Sequence, residues 1–210
     1  MSAIDQFHRL FAECPLIAIL RGVRPDEVEA IGDALVEGGV RIIEVPLNSP
    51  DPLDSIGRLS KRFDGRVLVG AGTVLQVDQI GPIHAAGGRL IVSPSTNPAV
   101  IAASVAQGMV STPGYLTPSE AFAAIDAGAH ALKLFPAEAV SPAVIRAQRA
   151  VLPNDLRLIV VGGIGTDNMT PWFDAGADGF GLGSGIYRPG QSPAETLAKA
   201  RAFQAALAAR

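Results

Sequence analysis

Eight times along this chain a short apolar run rich in β-branched residues ends at a Gly, Pro or polar residue and gives way to a stretch with helical periodicity. The runs fall at 16–20, 41–45, 67–71, 89–92, 109–112, 129–134, 156–161 and 179–182. Between them, 25–37, 52–63, 76–86, 98–107, 118–127, 142–151 and 167–175 read as helices. Several begin with Pro in the first turn, where its missing N–H costs nothing. Glycine closes many of them, Gly128 for example, and turns the chain back toward a strand. The spacing from strand to strand is about 20 to 25 residues, close to the minimum for a parallel crossover. Eight such units predict an α/β chain folded as a single domain over 1–210: a (β/α)8 TIM barrel with an additional N-terminal helix at 3–12 and a final helix at 193–209. The same alternation can build an open doubly wound sheet. The unit count, and the lack of a Gly-x-Gly-x-x-Gly turn after the first strand, favour the barrel.

Composition narrows the function classes. With 48% apolar residues in 210, the chain can bury a large core. Its formal charge is −3, and neither sign gathers into a block that could track a phosphate backbone, so nucleic acid is not an expected partner. Cys14 is the only cysteine, which excludes an internal disulfide and paired-cysteine metal sites. The N-terminal stretch carries Asp5 and Glu13 among scattered apolar residues and does not read as a signal peptide. No run of about twenty apolar residues could span a bilayer. A soluble protein of the reducing cytoplasm, without a membrane partner, is the expectation.

In a barrel of this kind the chemistry sits at the C-terminal ends of the strands. The residues there are Arg21, Glu44, Gly72-Thr73, Pro94, Pro113-Gly114, Lys133, Gly162-Gly163 and Gly183-Ser184. Of three lysines, Lys61 and Lys199 lie on helix faces, whereas Lys133 stands between Leu132 and Leu134 and close to Phe135 and Pro136. An ammonium held there is poorly solvated and easily deprotonated, as a Schiff-base nucleophile must be, and a nearby cation such as Arg21 would help. Glu44 interrupts the apolar pattern of Ile42-Ile43-Glu44-Val45, and burial would raise its pKa into the range of a general acid and base. A buried Lys133–Glu44 ion pair, or a Glu44 that neutralises Arg21, is the structural alternative.

Val161-Gly162-Gly163-Ile164-Gly165 and Gly181-Leu182-Gly183-Ser184-Gly185 put small residues at two adjacent strand ends, where backbone N–H groups can approach a phosphate. Arg21 is placed to clamp a carboxylate in bidentate fashion, and Thr73 to add a hydroxyl or to cap the following helix. The histidines offer less. His8 and His84 lie in helical runs, and His130 opens the sixth strand at the wrong end of the barrel, so no histidine metal cluster is expected.

Six segments together resemble the 2-keto-3-deoxy-6-phosphogluconate/6-phosphogalactonate aldolases over essentially the whole chain. They are Ile17-Ala18-Ile19-Leu20-Arg21-Gly22, Glu44-Val45-Pro46-Leu47-Asn48-Ser49-Pro50, Gly70-Ala71-Gly72-Thr73-Val74-Leu75, Ala131-Leu132-Lys133-Leu134-Phe135-Pro136, Val161-Gly162-Gly163 and Gly181-Leu182-Gly183-Ser184. The resemblance implies a homotrimeric class I aldolase without metal or cofactor. In it Lys133 forms an imine with pyruvate, Glu44 shuttles protons, Arg21 and Thr73 take the pyruvate carboxylate, and Gly162, Gly163, Gly183 and Ser184 take the phosphate. Pro94, Phe135 and Val161 belong to the implied substrate surface.

Within the family the galactonate type looks closer. Gluconate-type members usually carry Thr-Leu-Arg-Thr after the matching glutamate, where this chain has Pro46-Leu47-Asn48-Ser49-Pro50, and a threonine where it has Val161. The substrate implied is a phosphorylated keto-deoxy sugar acid, split to pyruvate and glyceraldehyde 3-phosphate. A buried methyl in place of a hydrogen-bonding group changes discrimination by about 1–3 kcal/mol, so the gluconate epimer, or both, is the runner-up. Two more distant readings are a phosphosugar epimerase, which would need a metal cluster or a paired acid and base, and a non-catalytic phosphosugar-binding barrel.

Overall fold

The computed structural model describes residues 1–209 and bears out the barrel; Arg210, the last residue of the expected domain span, lies outside the described residues. After helix α1 (Ala3–Glu13) the strands are β1 (Leu16–Ile19), β2 (Ile42–Pro46), β3 (Leu68–Gly72), β4 (Leu90–Val92), β5 (Val110–Thr112), β6 (Gly114–Tyr115), β7 (Ala131–Leu134), β8 (Arg157–Val161) and β9 (Gly179–Leu182). The helices between and after them are α2 (Val28–Glu37), α3 (Pro52–Phe63), α4 (Ile80–Ala85), α5 (Pro98–Ala106), α6 (Pro118–Asp126), α7 (Pro142–Arg149), α8 (Met169–Asp174) and α9 (Pro193–Ala208). All strand pairs are parallel, in the order β5-β4-β3-β2-β1-β9-β8-β7-β6.

The two ends of that order, β5 and β6, are one stretch of chain interrupted by Pro113. Proline has no N–H to give a ladder, which divides the fifth of the eight expected strands into two segments. The lower half pairs with β4 and the upper with β7, while Pro113 O accepts the Lys133 N–H at 2.9 Å and Ser111 O accepts the His130 N–H at 3.0 Å. The barrel thus closes through a single strand, which excludes the open sheet. Other departures from the sequence reading are local. The 25–37 helix opens as a turn, in which Val28 N–H bonds Arg24 O at 3.1 Å, before α2 proper. The 76–86 stretch divides into a 3-10 turn (Val77–Gln79) and α4.

Side chains alternate across the strands, so one set faces the helices and the other fills the barrel. The outer set includes Leu16, Ala18, Leu20, Ile43 and Val45, packed against the helical ring. Inside lie Ile17, Ile19, Ile42, Leu68, Leu90, Val92, Val110, Ala131, Ile159 and Val161, joined by Phe7, Leu10 and Phe11 of α1. Helix α1 therefore plugs the N-terminal end of the barrel. Ser2 and Asp5 hold its first turn in a capping box. Burying those three side chains contributes roughly 1.5–3 kcal/mol each. The floor is mostly hydrocarbon, and the buried charged side chains, Glu44 and Lys133, lie toward the opposite end.

Candidate active site

Inward parity brings Glu44 of β2 and Lys133 of β7 into the upper barrel. Glu44 is registered beside Ile19 and Gly70, and Lys133 beside Gly114 and Ile159. Only 2% of Glu44 and 6% of Lys133 is exposed, and both line one small cavity with Ile17, Ile19, Val92, Thr112, Ile159, Val161 and Gly181. No ion pair within 4 Å joins them among the described residues, and Glu44 Oε2 has no hydrogen-bond partner in the protein. Burial pushes the Glu44 carboxyl up to about 7, against the opposing pull of Lys133 and Arg21. Burial also drives the Lys133 amine down, opposed by Glu44 and assisted by the Arg21 charge. The lowered amine and the carboxyl raised to near neutrality follow from one cause, removal from water.

Two neighbours shape the pair. The Glu44 carboxyl rests against Gly72, where an added Cβ would lie 1.9 Å from Oε2, so no larger residue fits without moving the acid. The Phe135 ring centroid stands 4.7 Å from Lys133 Nζ, a geometry that favours positive charge on that nitrogen once an iminium forms.

Above the pair opens a mouth of ≈ 870 Å³, lined among others by Arg21, Phe135, Val161, Gly162, Gly163, Gly183 and Ser184. Arg21 does not bridge to Glu44; its guanidinium donates to Asn48 Oδ1 at 2.8 Å, and Ser49 Oγ accepts the Gly22 N–H at 2.9 Å. The loop after β2 thus braces the turn after β1. Gly162 and Gly163 take φ of 118° and 64°, and Asn168 ties their loop by accepting Gly165 N–H at 3.0 Å and donating to Gly163 O at 2.8 Å. An outer groove of ≈ 720 Å³, lined by Leu47, Pro52, Leu53 and Ile83 among others, lies away from Lys133.

Nine of the expected site residues are therefore gathered around two connected spaces, which share Ile19, Val161 and Gly181. Thr73 and Pro94 stand at the same rim, after β3 and β4, but line neither space. Thr73 makes no side-chain hydrogen bond among the described residues, so it does not cap the next helix; its φ of 57° is strained for a β-branched residue. Two residues escaped the sequence reading. Thr112 was visible only through inward parity on a three-residue strand, and Glu138 lies in a short 3-10 turn after Pro136, where an added Cβ on Gly162 would lie 2.2 Å from its Oε2. His130 belongs to the floor, its Nδ1 accepting Ser111 N–H at 3.1 Å, and burial lowers its pKa. No cluster of three or more His, Cys, Asp or Glu side chains suited to a metal occurs among the described residues.

Residues 8–199 match the family model described as KDPG and KHG aldolase. The chain belongs to that aldolase family. It is 48% identical over 194 residues to a probable 2-dehydro-3-deoxy-6-phosphogalactonate aldolase of Rhizobium meliloti (strain 1021), with 92% of each chain covered. It is 46% identical to the 2-dehydro-3-deoxy-6-phosphogalactonate aldolase of Escherichia coli (strain K12), over 90% of this chain and 92% of that one. A solved structure described as native KDPGal superposes with a TM-score of 0.92 at 44% identity, covering 94% of this chain and 96% of that chain. A Legionella pneumophila KDPG aldolase holding pyruvate as a covalent carbinolamine superposes at 0.80, with 25% identity over 93% of this chain and 95% of that chain. The family is one of class I aldolases, lyases on a TIM barrel, and the barrel described above is that of a member.

Proposed function

We propose that this chain cleaves 2-dehydro-3-deoxy-6-phosphogalactonate to pyruvate and D-glyceraldehyde 3-phosphate through a Schiff base on Lys133. The observation that carries the reading is the burial of Lys133 and Glu44 in one cavity without an ion pair between them. The uncharged amine attacks the C2 ketone, and protonated Glu44 delivers the proton with which the C2 hydroxyl leaves as water, giving an iminium and a Glu44 carboxylate. That carboxylate takes the proton of the C4 hydroxyl. The C3–C4 bond then breaks, its electrons entering the iminium to form an enamine, and the aldehyde is released. Glu44 returns the proton to C3, and water hydrolyses the pyruvate imine. Arg21 and Thr73 hold the carboxylate, Pro94 and Phe135 border the reacting carbons, and Gly162, Gly163, Gly183 and Ser184 take the phosphate.

Val161 lines both the cavity and the mouth, and in this reading its methyl groups face the sugar carbons of the substrate. That favours the galactonate epimer and leaves turnover of the gluconate epimer as the second reading. Assembly as a homotrimer in the cytoplasm belongs to the same proposal; the outer groove with its partly exposed Leu53 supports a subunit contact, and a solution mass tests it. Borohydride with pyruvate is expected to leave a covalent adduct on Lys133, and Lys133→Ala to abolish both adduct and turnover. Cleavage of the two epimers, compared by kcat/KM with EDTA present, decides the rest. Turnover without trapping would contradict the imine, loss of activity to the chelator would favour an epimerase, and ligand binding without any turnover would leave only a binding barrel.

A further inference from the structure

Thr112 stands on the inner face of β5, 1% exposed, one strand from Lys133. Its Oγ1 is buried and has no hydrogen-bond partner in the protein, and the same holds for Glu44 Oε2. Both side chains line the cavity that holds Lys133, and the other walls are Ile17, Ile19, Val92, Ile159, Val161 and Gly181. Two unpartnered oxygens and one amine are thus the polar side-chain groups in an otherwise hydrocarbon space. Buried hydroxyls are rarely left unpaired, and valine fills the neighbouring inward positions 92 and 110. The cavity gives a water centre ≈ 10 Å³ to occupy, room for about one molecule. A buried water takes two to four polar partners, and this space offers three.

We infer that Thr112 is a positioning residue whose hydroxyl, together with Glu44, seats the water that hydrolyses the pyruvate imine on Lys133. The inference rests on the Schiff-base reading and adds to it a residue of this chain. One O–H of the water bonds to Thr112 Oγ1 and the other to the Glu44 carboxylate, which leaves an oxygen lone pair for C2. As the water oxygen bonds to C2, its proton passes to Glu44, giving a carbinolamine. Glu44 then protonates the nitrogen and takes back the hydroxyl proton as the C–N bond breaks, so the products are ketone, neutral amine and protonated acid. Imine formation from the incoming ketone uses the same position in reverse.

The test is Thr112→Val, nearly isosteric, beside Thr112→Ser in the full-length protein. Thr112→Val is expected to lower kcat about 10-fold or more and to slow the approach to borohydride-trappable pyruvate imine by the same factor, with the final extent of trapping unchanged. Its solvent deuterium isotope effect on kcat should rise, and Thr112→Ser should restore the native rate. A Thr112→Val protein that is more heat-stable and within twofold of the native rate would overturn the inference, as would a Thr112→Ser protein as slow as the valine variant. Should valine not fold, Thr112→Ala carries the same expected loss and the same refuting result. Absence of trapping in the native protein would defeat the Schiff-base reading itself, which separates the two failures.

Discussion

Replacing Glu44 by Gln should stabilise this protein while slowing it, and the stabilisation should depend on pH in one direction. The carboxyl is fully buried, has an oxygen without a partner, and titrates near 7 in the fold against an ordinary value of 4.5. Between those two pH values the folded state keeps a proton that the unfolded chain has released, so stability falls as pH rises through the window. At about 1.36 kcal/mol per tenfold change in proton affinity, the loss amounts to about 3 kcal/mol by pH 8. Glutamine fills the same space and carries no charge. The variant should therefore gain little over the native protein near pH 4.5 and about 3 kcal/mol near pH 8, equivalent to roughly 6–12 °C in Tm for a chain of this size. The charge of Lys133 does not reverse this, because burial already favours the neutral amine. Urea unfolding of both proteins at several pH values from 4.5 to 8 measures the difference. A gap that stays constant with pH, or a variant that loses stability at pH 8, would show that the carboxylate has a compensating partner and would refute the reasoning.

Gly72→Ala should leave the barrel folded, since the φ of Gly72 is ordinary, but should displace the Glu44 carboxyl, for which only 1.9 Å would remain. A misplacement of about 1 Å in a reacting group costs ~10²-fold, so kcat should fall by that order while the pyruvate adduct on Lys133 still forms. Asn48→Ala removes the 2.8 Å contact that holds Arg21 and should raise the pyruvate concentration for half-maximal trapping about 10-fold, within the range for hydrogen bonds to charged groups. In an Arg21→Ala background the same change should add little; additive losses would show that Asn48 does not act through Arg21.

The barrel was legible because both of its periodicities are strong. Strands such as Arg157–Val161 alternate between inner and outer cores, and Pro at the first helical position with Gly beyond the last marks the turns. Lys133 and Glu44 were legible for the same reason, as charges at inward positions where the pattern calls for hydrocarbon. Thr112 was not, because one hydroxyl in Val110-Ser111-Thr112 reads as an ordinary strand residue until the register shows which of the two hydroxyls faces inward. The division of the fifth strand escaped as well, since Pro113 acts on a ladder whose partners are far away in sequence. The Arg21–Asn48 contact spans 27 residues and depends on neighbouring strand ends, so sequence could place both at one rim without showing that they touch.

The opposite shifts of Glu44 and Lys133 bear on what kind of pair they form. If their mutual attraction outweighed burial, the acid would be held low and the amine high, and the two would meet as an ion pair. Instead burial is the largest influence on each, and the charges of the partner only moderate it. Attraction between buried charges often fails to offset the loss of their hydration unless the geometry is close and the remaining hydrogen bonds are met. Here Oε2 lacks a partner and no ion pair within 4 Å joins the two. Burial thus pushes both groups toward their uncharged forms, those needed for attack on a ketone and for departure of its oxygen as water. Placing the two groups closer would tighten the fold locally and would charge the nucleophile.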